Sequence, residues 1–170
     1  MIRRLILLWM LPFFLCGCGY HLSGDVNNLP PEIRSHYIEL FNNRTAEPYL
    51  ENLITREVTK EFARTRSLHI AEDRKRADAV LSGTVSAYKT VPVSYGTKDE
   101  ITEYRSVMSI DAVLYRASDG KTLWKGTLSW TEEYPSNDDK AVQEDNETAA
   151  IGVIVNRLAD NLYFGIAENF

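Results

Sequence analysis

The feature that most constrains the fold is a pair of long alternating stretches joined by a tight turn. From Glu103 to Arg116, Tyr104, Met108, Ile110, Ala112 and Leu114 fall on one parity, while Glu103, Arg105, Ser109 and Asp111 fall on the other. From Thr122 to Tyr134 the apolar parity is Trp124, Leu128, Trp130 and Tyr134, against Lys125, Thr127, Ser129 and Thr131. A period of two means strands with one buried face and one wet face. Ser118-Asp119-Gly120-Lys121 lies between them, and Asp-Gly supplies the positive φ values of a tight hairpin. The two strands are therefore consecutive and antiparallel. A third β-like stretch, Asp78 to Tyr88, precedes them across a Pro- and Gly-containing connection, Thr90 to Ile101, expected to form a longer hairpin tip.

Two segments change period. Leu50, Leu53, Ile54, Val58 and Phe62 recur at helical spacing, so a helix of about five turns is expected from Glu47 onward. Val142, Ala149, Ala150, Val153, Ile154, Leu158, Leu162 and Ile166 do the same between Lys140 and Ala167. His36 to Phe41 reads as a first strand, Asn42 to Thr45 as a turn, Leu68 to Ala71 as a possible short strand, and Glu72 to Ala77 as a charged turn. The order strand, helix, meander, helix predicts an α+β two-layer sandwich, with two helices on one face of a mostly antiparallel four-stranded sheet.

The N-terminus sets compartment and attachment. Arg3 and Arg4 precede an apolar run from Leu5 to Leu15, followed by Cys16-Gly17-Cys18. Eleven apolar residues make about 16 Å of helix, well short of a hydrocarbon core of about 30 Å. The segment reads as a secretory signal over residues 1–17. Leu-x-Gly-Cys at its end resembles the bacterial lipobox, which makes Cys18 the lipidated mature N-terminus. Residues 18–32, rich in Gly and Asn and closed by Pro30-Pro31, read as a tether, and residues 33–170 as the folded domain. Cys16 and Cys18 could alternatively pair, but cleavage would part them. No other cysteine exists, so the exported domain must stand on its core. The acyl chains on Cys18 would suffice to hold it on a membrane.

Removing Arg3 and Arg4 leaves 17 basic against 24 acidic residues, a formal charge of −7. Such a domain is a poor partner for nucleic acid. Catalytic patterns are missing too. His21, His36 and His69 lack metal-ligand spacing. No metalloprotease, Gly-x-Ser-x-Gly or phosphate-loop motif occurs, and Ser94 and Ser106 have no evident base partner. The cluster Asp138, Asp139, Glu144 and Asp145 reads as a solvated helix start or, less simply, a cation site. The expectation is a non-enzyme with no cofactor beyond the covalent diacylglycerol and N-acyl chain on Cys18. Lys98, Arg105, Lys125 and Lys140, together with Lys89, are the basic side chains that could meet a polar or anionic partner; the alternative is an ordinary solvated strand face.

Cys18-Gly19-Tyr20-His21-Leu22 directly after the lipobox resembles the start of the mature LptE family, the lipopolysaccharide-assembly lipoproteins of Gram-negative bacteria. Glu103-Tyr104-Arg105-Ser106-Val107-Met108, with Ala112 and Leu114, is similar to that family's middle strand, and Asp145-Asn146-Glu147 to the start of its last helix. The resemblance implies an outer-membrane lipoprotein on the periplasmic side. Such a protein plugs the LptD β-barrel, helps it assemble and contacts lipopolysaccharide. It also implies lipopolysaccharide contacts at basic side chains near the hairpin tip and the last helix start. Lys98 lies near the first place. Glu144 and Asp145 occupy much of the second, with Lys140 nearby. The competing function is a periplasm-facing lipoprotein that regulates a cell-envelope enzyme or assists a transporter.

Overall fold

The computed structural model describes residues 32–64 and 69–168. The signal, Cys18 and most of the tether lie outside the described residues. Eight elements follow in order: β1 (Ser35–Ile38), β2 (Asn42–Asn43), α1 (Leu50–Arg64), β3 (His69–Ile70), β4 (Ala79–Tyr95), β5 (Ile101–Arg116), β6 (Thr122–Pro135) and α2 (Lys140–Glu168). A single 3-10 turn, Arg74–Arg76, is capped by the Asp73 carboxylate, which accepts from the Lys75 N–H at 2.9 Å.

The α+β class and the two helices are as expected, but the sheet is not a mostly antiparallel four-stranded one. It is mixed and six-stranded, in the order β3-β1-β4-β5-β6, with β2 also against β4. β1 runs parallel to both β3 and β4, and β2 runs parallel to β4. The physical reason is the helix between them. A chain that leaves one end of a strand and returns through a helix re-enters the sheet in the same direction. The meander β4-β5-β6 is antiparallel throughout.

Local chemistry explains the other departures. Asn42 and Asn43 form a two-residue strand against Thr84 and Val85 instead of opening a turn. The turn comes just after: Asn43 Oδ1 accepts from the Thr45 N–H and hydroxyl, while its Nδ2 donates to the Glu47 carbonyl and Glu51 Oε2. Helix α1 then starts at Leu50, because Pro48 and a left-handed Tyr49 (φ 67°) precede it. β4 runs on through Thr90 to Tyr95, leaving a short tip at 96–100. The extended-favouring Val91, Pro92 and Val93 carry it there, with register shifts around Pro92 and Ser94.

The core lies between the sheet and the two helices. Leu50, Ile54, Val58 and Phe62 of α1 pack with Ile154, Leu158, Leu162 and Ile166 of α2 over Leu81, Val85, Met108, Ile110, Ala112 and Leu114. On α2 the buried stripe takes Ile151, Val155 and Ala159 in place of Val142, Ala149 and Val153, which are exposed. Gly83 sits where a methyl group would overlap the buried Phe41 ring. His36, on β1, faces this core. It is 1% exposed, neither ring nitrogen has a partner, and Phe62 packs on it at 5.1 Å. Burial pushes its pKa down to about 4.

Candidate interaction surface

Beneath the N-terminal half of α2 the core turns polar. An irregularity between Val85 and Ala87 resets the parity of β4, so that Tyr88 lies opposite Met108 and Thr90 opposite Ser106. The Tyr88 hydroxyl donates to Glu147 Oε1 at 2.7 Å and lies 3.0 Å from Ser106 Oγ; Thr90 Oγ1 donates to the same carboxylate oxygen at 3.1 Å. Thr90 and Ser106 are 2.8 Å apart. Burial is the main force raising the Tyr88 pKa, and the adjacent Glu147 charge raises it further, so the phenol stays a donor. Tyr134 stacks on Tyr104 at 5.8 Å, and its buried hydroxyl is unpaired. This cluster joins the hairpin arm to the helix. Its hydroxyls and carboxylate hold neither an imidazole nor a thiol, and no group of metal-ligating side chains occurs among the described residues.

Among the described residues, no helix covers the opposite face of the sheet. It carries hydroxyls and charges, interspersed with Val91, Val107 and Val113. Ser109 donates to Ser129 at 3.1 Å, Thr127 donates to Asp111 at 2.6 Å, and Arg105 donates through two nitrogens to Glu133 Oε1 at 2.6 and 2.9 Å. Cross-strand pairs hold this face in register.

The four basic candidates do not form one site. Lys98 is exposed in the tip, its backbone N–H bonded to Glu100 Oε2 at 2.9 Å. Arg105 is on the uncovered face, committed to Glu133. Lys125 is exposed on the same face, opposite Val113. It stands eight positions along β6 from Glu133, or about 26 Å at 3.3 Å per residue. Lys140 begins α2. Lys98 and Lys140 share their end of the sheet with Glu103, Glu132, Asp138, Asp139, Glu144 and Asp145, so the local field there is acidic.

A second cluster gathers at the other end, where residue 32 enters the domain. A cavity of about 360 Å³ is lined by Arg74, Lys75 and Arg116 with Glu32 and Asp78. Arg116 bridges Glu32 at 3.0 Å and Asp119 at 3.1 Å, and Arg74 bridges Glu39 at 3.0 Å. Asp78 accepts from the backbone N–H groups of Arg34 (3.0 Å) and Ser35 (2.9 Å) and from the Ser35 hydroxyl (2.9 Å). These bonds, that from Arg34 first, hold its carboxyl below the usual range. In sequence Arg74 and Lys75 read only as part of a charged turn, Glu32 as the end of the tether, and Asp78 and Arg116 as ends of β-like stretches; the run Arg74-Lys75-Arg76 after Asp73 was the available signal.

The family model for LptE, lipopolysaccharide-assembly, matches residues 33–164. The chain belongs to the LptE family. A comparison with curated proteins gives no match. Solved structures share the fold at low identity. A putative lipoprotein from Caulobacter crescentus is 16% identical with a TM-score of 0.58, covering 75% of this chain and 88% of that one. Lipoprotein B from Nitrosomonas europaea is 14% identical with a TM-score of 0.58, covering 85% and 88%. Rare lipoprotein B from Shewanella oneidensis is 10% identical with a TM-score of 0.55, covering 78% and 95%. At such identities the likeness is one of fold, and the LptE assignment rests on the family match. Among the described residues of this LptE-family chain, no helix is long and apolar enough to cross a membrane.

Proposed function

We propose that this protein is a non-enzymatic outer-membrane lipoprotein, anchored through acyl chains on Cys18. In this reading it occupies and helps to assemble the LptD β-barrel and assists lipopolysaccharide on its way to the cell surface. The observation that carries the reading is the LptE family match over residues 33–164. The lipobox-like Leu15-Cys16-Gly17-Cys18 and the following Gly19-Tyr20-His21-Leu22 support the anchor and the compartment. The hydroxyls and charged pairs of the uncovered face, such as Ser109–Ser129, Thr127–Asp111 and Arg105–Glu133, support the role, since such side chains suit a water-lined lumen. Lys98 and Lys140 are the exposed cations assigned to partner or lipopolysaccharide contact, with Lys125 on the uncovered face. Arg105 contributes through its pair with Glu133.

Solubilising outer membranes in mild detergent and isolating the intact lipoprotein should recover a large β-barrel with it. Recovery without a barrel would count strongly against the assignment. Lys98→Glu, Lys125→Glu and Lys140→Glu, made singly, should weaken retention of the barrel or of lipopolysaccharide while leaving the melting temperature unchanged. Unchanged binding in all three would reduce these lysines to solvated surface residues.

A further inference from the structure

The cavity of about 360 Å³ beside residue 32 keeps polar groups that its own ion pairs do not use. Arg116 spends Nη1 on Asp119 and Nη2 on Glu32, while its Nε–H is buried without a partner. A buried donor left in that state is costly. The Lys75 ammonium and the Ser118 hydroxyl, both in the lining, make no hydrogen bond or ion pair among the described residues. Acceptors are left over as well. Asp78 takes all three of its bonds, from Arg34 and Ser35, on Oδ2, so Oδ1 stays open. Glu32 meets Arg116 through Oε1 alone.

Unused groups of both signs therefore share one cavity. A simple anion would sit against Asp78 and Glu32, and a simple cation against Arg74, Lys75 and Arg116. A ligand that carries both charges is repelled by neither set. A phosphodiester suits the cationic side, because a guanidinium N–H and an ammonium make charge-assisted bonds to phosphate oxygens. A primary ammonium suits the acidic side, because it has N–H donors for the open carboxylate oxygens. A quaternary ammonium has none, and it is recognised by aromatic cages; no aromatic side chain lines this cavity among the described residues. A phosphate joined to an aminoethyl group has about eight heavy atoms. At no more than about 30 Å³ each, the share of a water molecule in the liquid, they need under about 240 Å³, which the cavity holds.

Position supplies the source. Glu32 lines the cavity, and Cys18 precedes it by fourteen residues. Fourteen residues span at most about 50 Å, so acyl chains on Cys18 would keep the cavity within that distance of a lipid leaflet and at high effective concentration of headgroups.

We propose that this cavity is a headgroup site for an aminoethyl phospholipid of the anchoring membrane: Lys75, Arg116 Nε and Ser118 take the phosphodiester, and Asp78 and Glu32 take the primary ammonium. The lipid as source rests on the Cys18 anchorage proposed above; the chemistry of the site does not.

The test is lipid retention by the intact lipoprotein in neutral detergent, read by native mass spectrometry. The competitors are equimolar phosphatidylethanolamine, phosphatidylcholine and phosphatidylglycerol with matched acyl chains. Phosphatidylethanolamine should be retained about tenfold over either of the others, the effect of one bond to a charged group. Soluble glycerophosphoethanolamine should displace it, and glycerophosphocholine should not. Lys75→Ala, which has no partner to lose, should keep the wild-type melting temperature and weaken all three lipids alike, by about tenfold. Asp78→Asn keeps an oxygen for the Arg34 and Ser35 amides but loses the charge, so phosphatidylethanolamine should fall to the level of phosphatidylcholine. Equal retention of the three lipids by wild type, a preference for phosphatidylglycerol, or a preference untouched by both variants would overturn the proposal. The intact mass in the same spectra reports the acyl chains on Cys18, so failure of the anchor is read separately from failure of the site.

Discussion

Acid should weaken this fold through one histidine, in a pH window that carboxylates barely touch. His36 is buried in the core against Phe62, with both nitrogens unpartnered, and burial lowers its pKa from 6.5 to about 4. The unfolded chain binds a proton near pH 6.5, and the folded chain does so only near pH 4. Between those values the unfolded state holds more protons, so stability falls as pH falls. The gap of two and a half units corresponds to about 3 kcal/mol at about 1.4 kcal/mol per unit, a large share of the roughly 5–15 kcal/mol of a typical domain. Asp78 and Glu57 have lowered pKa values, so their contributions disappear only near and below the ordinary carboxylate range. The assay is urea unfolding followed by tryptophan fluorescence, from pH 7.5 down to 4.5. Wild type should lose stability at a slope approaching 1.4 kcal/mol per pH unit below pH 6. His36→Leu should remove most of that slope and equal or exceed wild type at pH 5. A slope unchanged by His36→Leu would refute the argument, because the pH dependence would then have to come from groups other than His36.

Three other perturbations test the packing and the polar joints. Gly83→Ala forces a methyl group into the Phe41 ring and should cost about 1–3 kcal/mol, seen as a lower thermal midpoint; an unchanged midpoint would mean that the ring can retreat. Tyr88→Phe removes the donor to Glu147 and should cost about 1–2 kcal/mol. It should also speed amide exchange in 141–149, and exchange identical to wild type would deny the cluster a role in holding α2 to the hairpin arm. Asp78→Ala unpairs the Arg34 and Ser35 amides and, after allowance for solvent screening, should cost about 1 kcal/mol, with protease nicking appearing first near residues 32–35.

Side-chain periodicity was enough to locate the meander and both helices, because those elements bury one face each and the pattern of burial is written residue by residue. Met108, Ile110, Ala112 and Leu114 are buried where alternation put them, and α2 begins at Lys140 as the helical spacing required. Which apolar residues of α2 turn inward was not legible. Val153 and Ile154 are equally apolar neighbours, and only the position of α1 and the sheet selects Ile154. The polar cluster escaped notice because Tyr88, Thr90, Ser106 and Glu147 are far apart in sequence and meet through an irregularity in β4. The basic candidates Lys98, Arg105, Lys125 and Lys140 were readable as exposed cations, but their separation and the acidic surroundings of the tip were not.

By itself, the sequence determined the class of the domain and the antiparallel hairpins, which depend on neighbours within a few residues. Tertiary structure alone decided the mixed sheet, the buried unpaired His36 and, among the described residues, the place of β6 at the edge of the sheet. Parallel pairing of β1 with β4 follows from where α1 returns the chain. An edge is defined by which strands fail to arrive beside it, and no local pattern of residues carries that information.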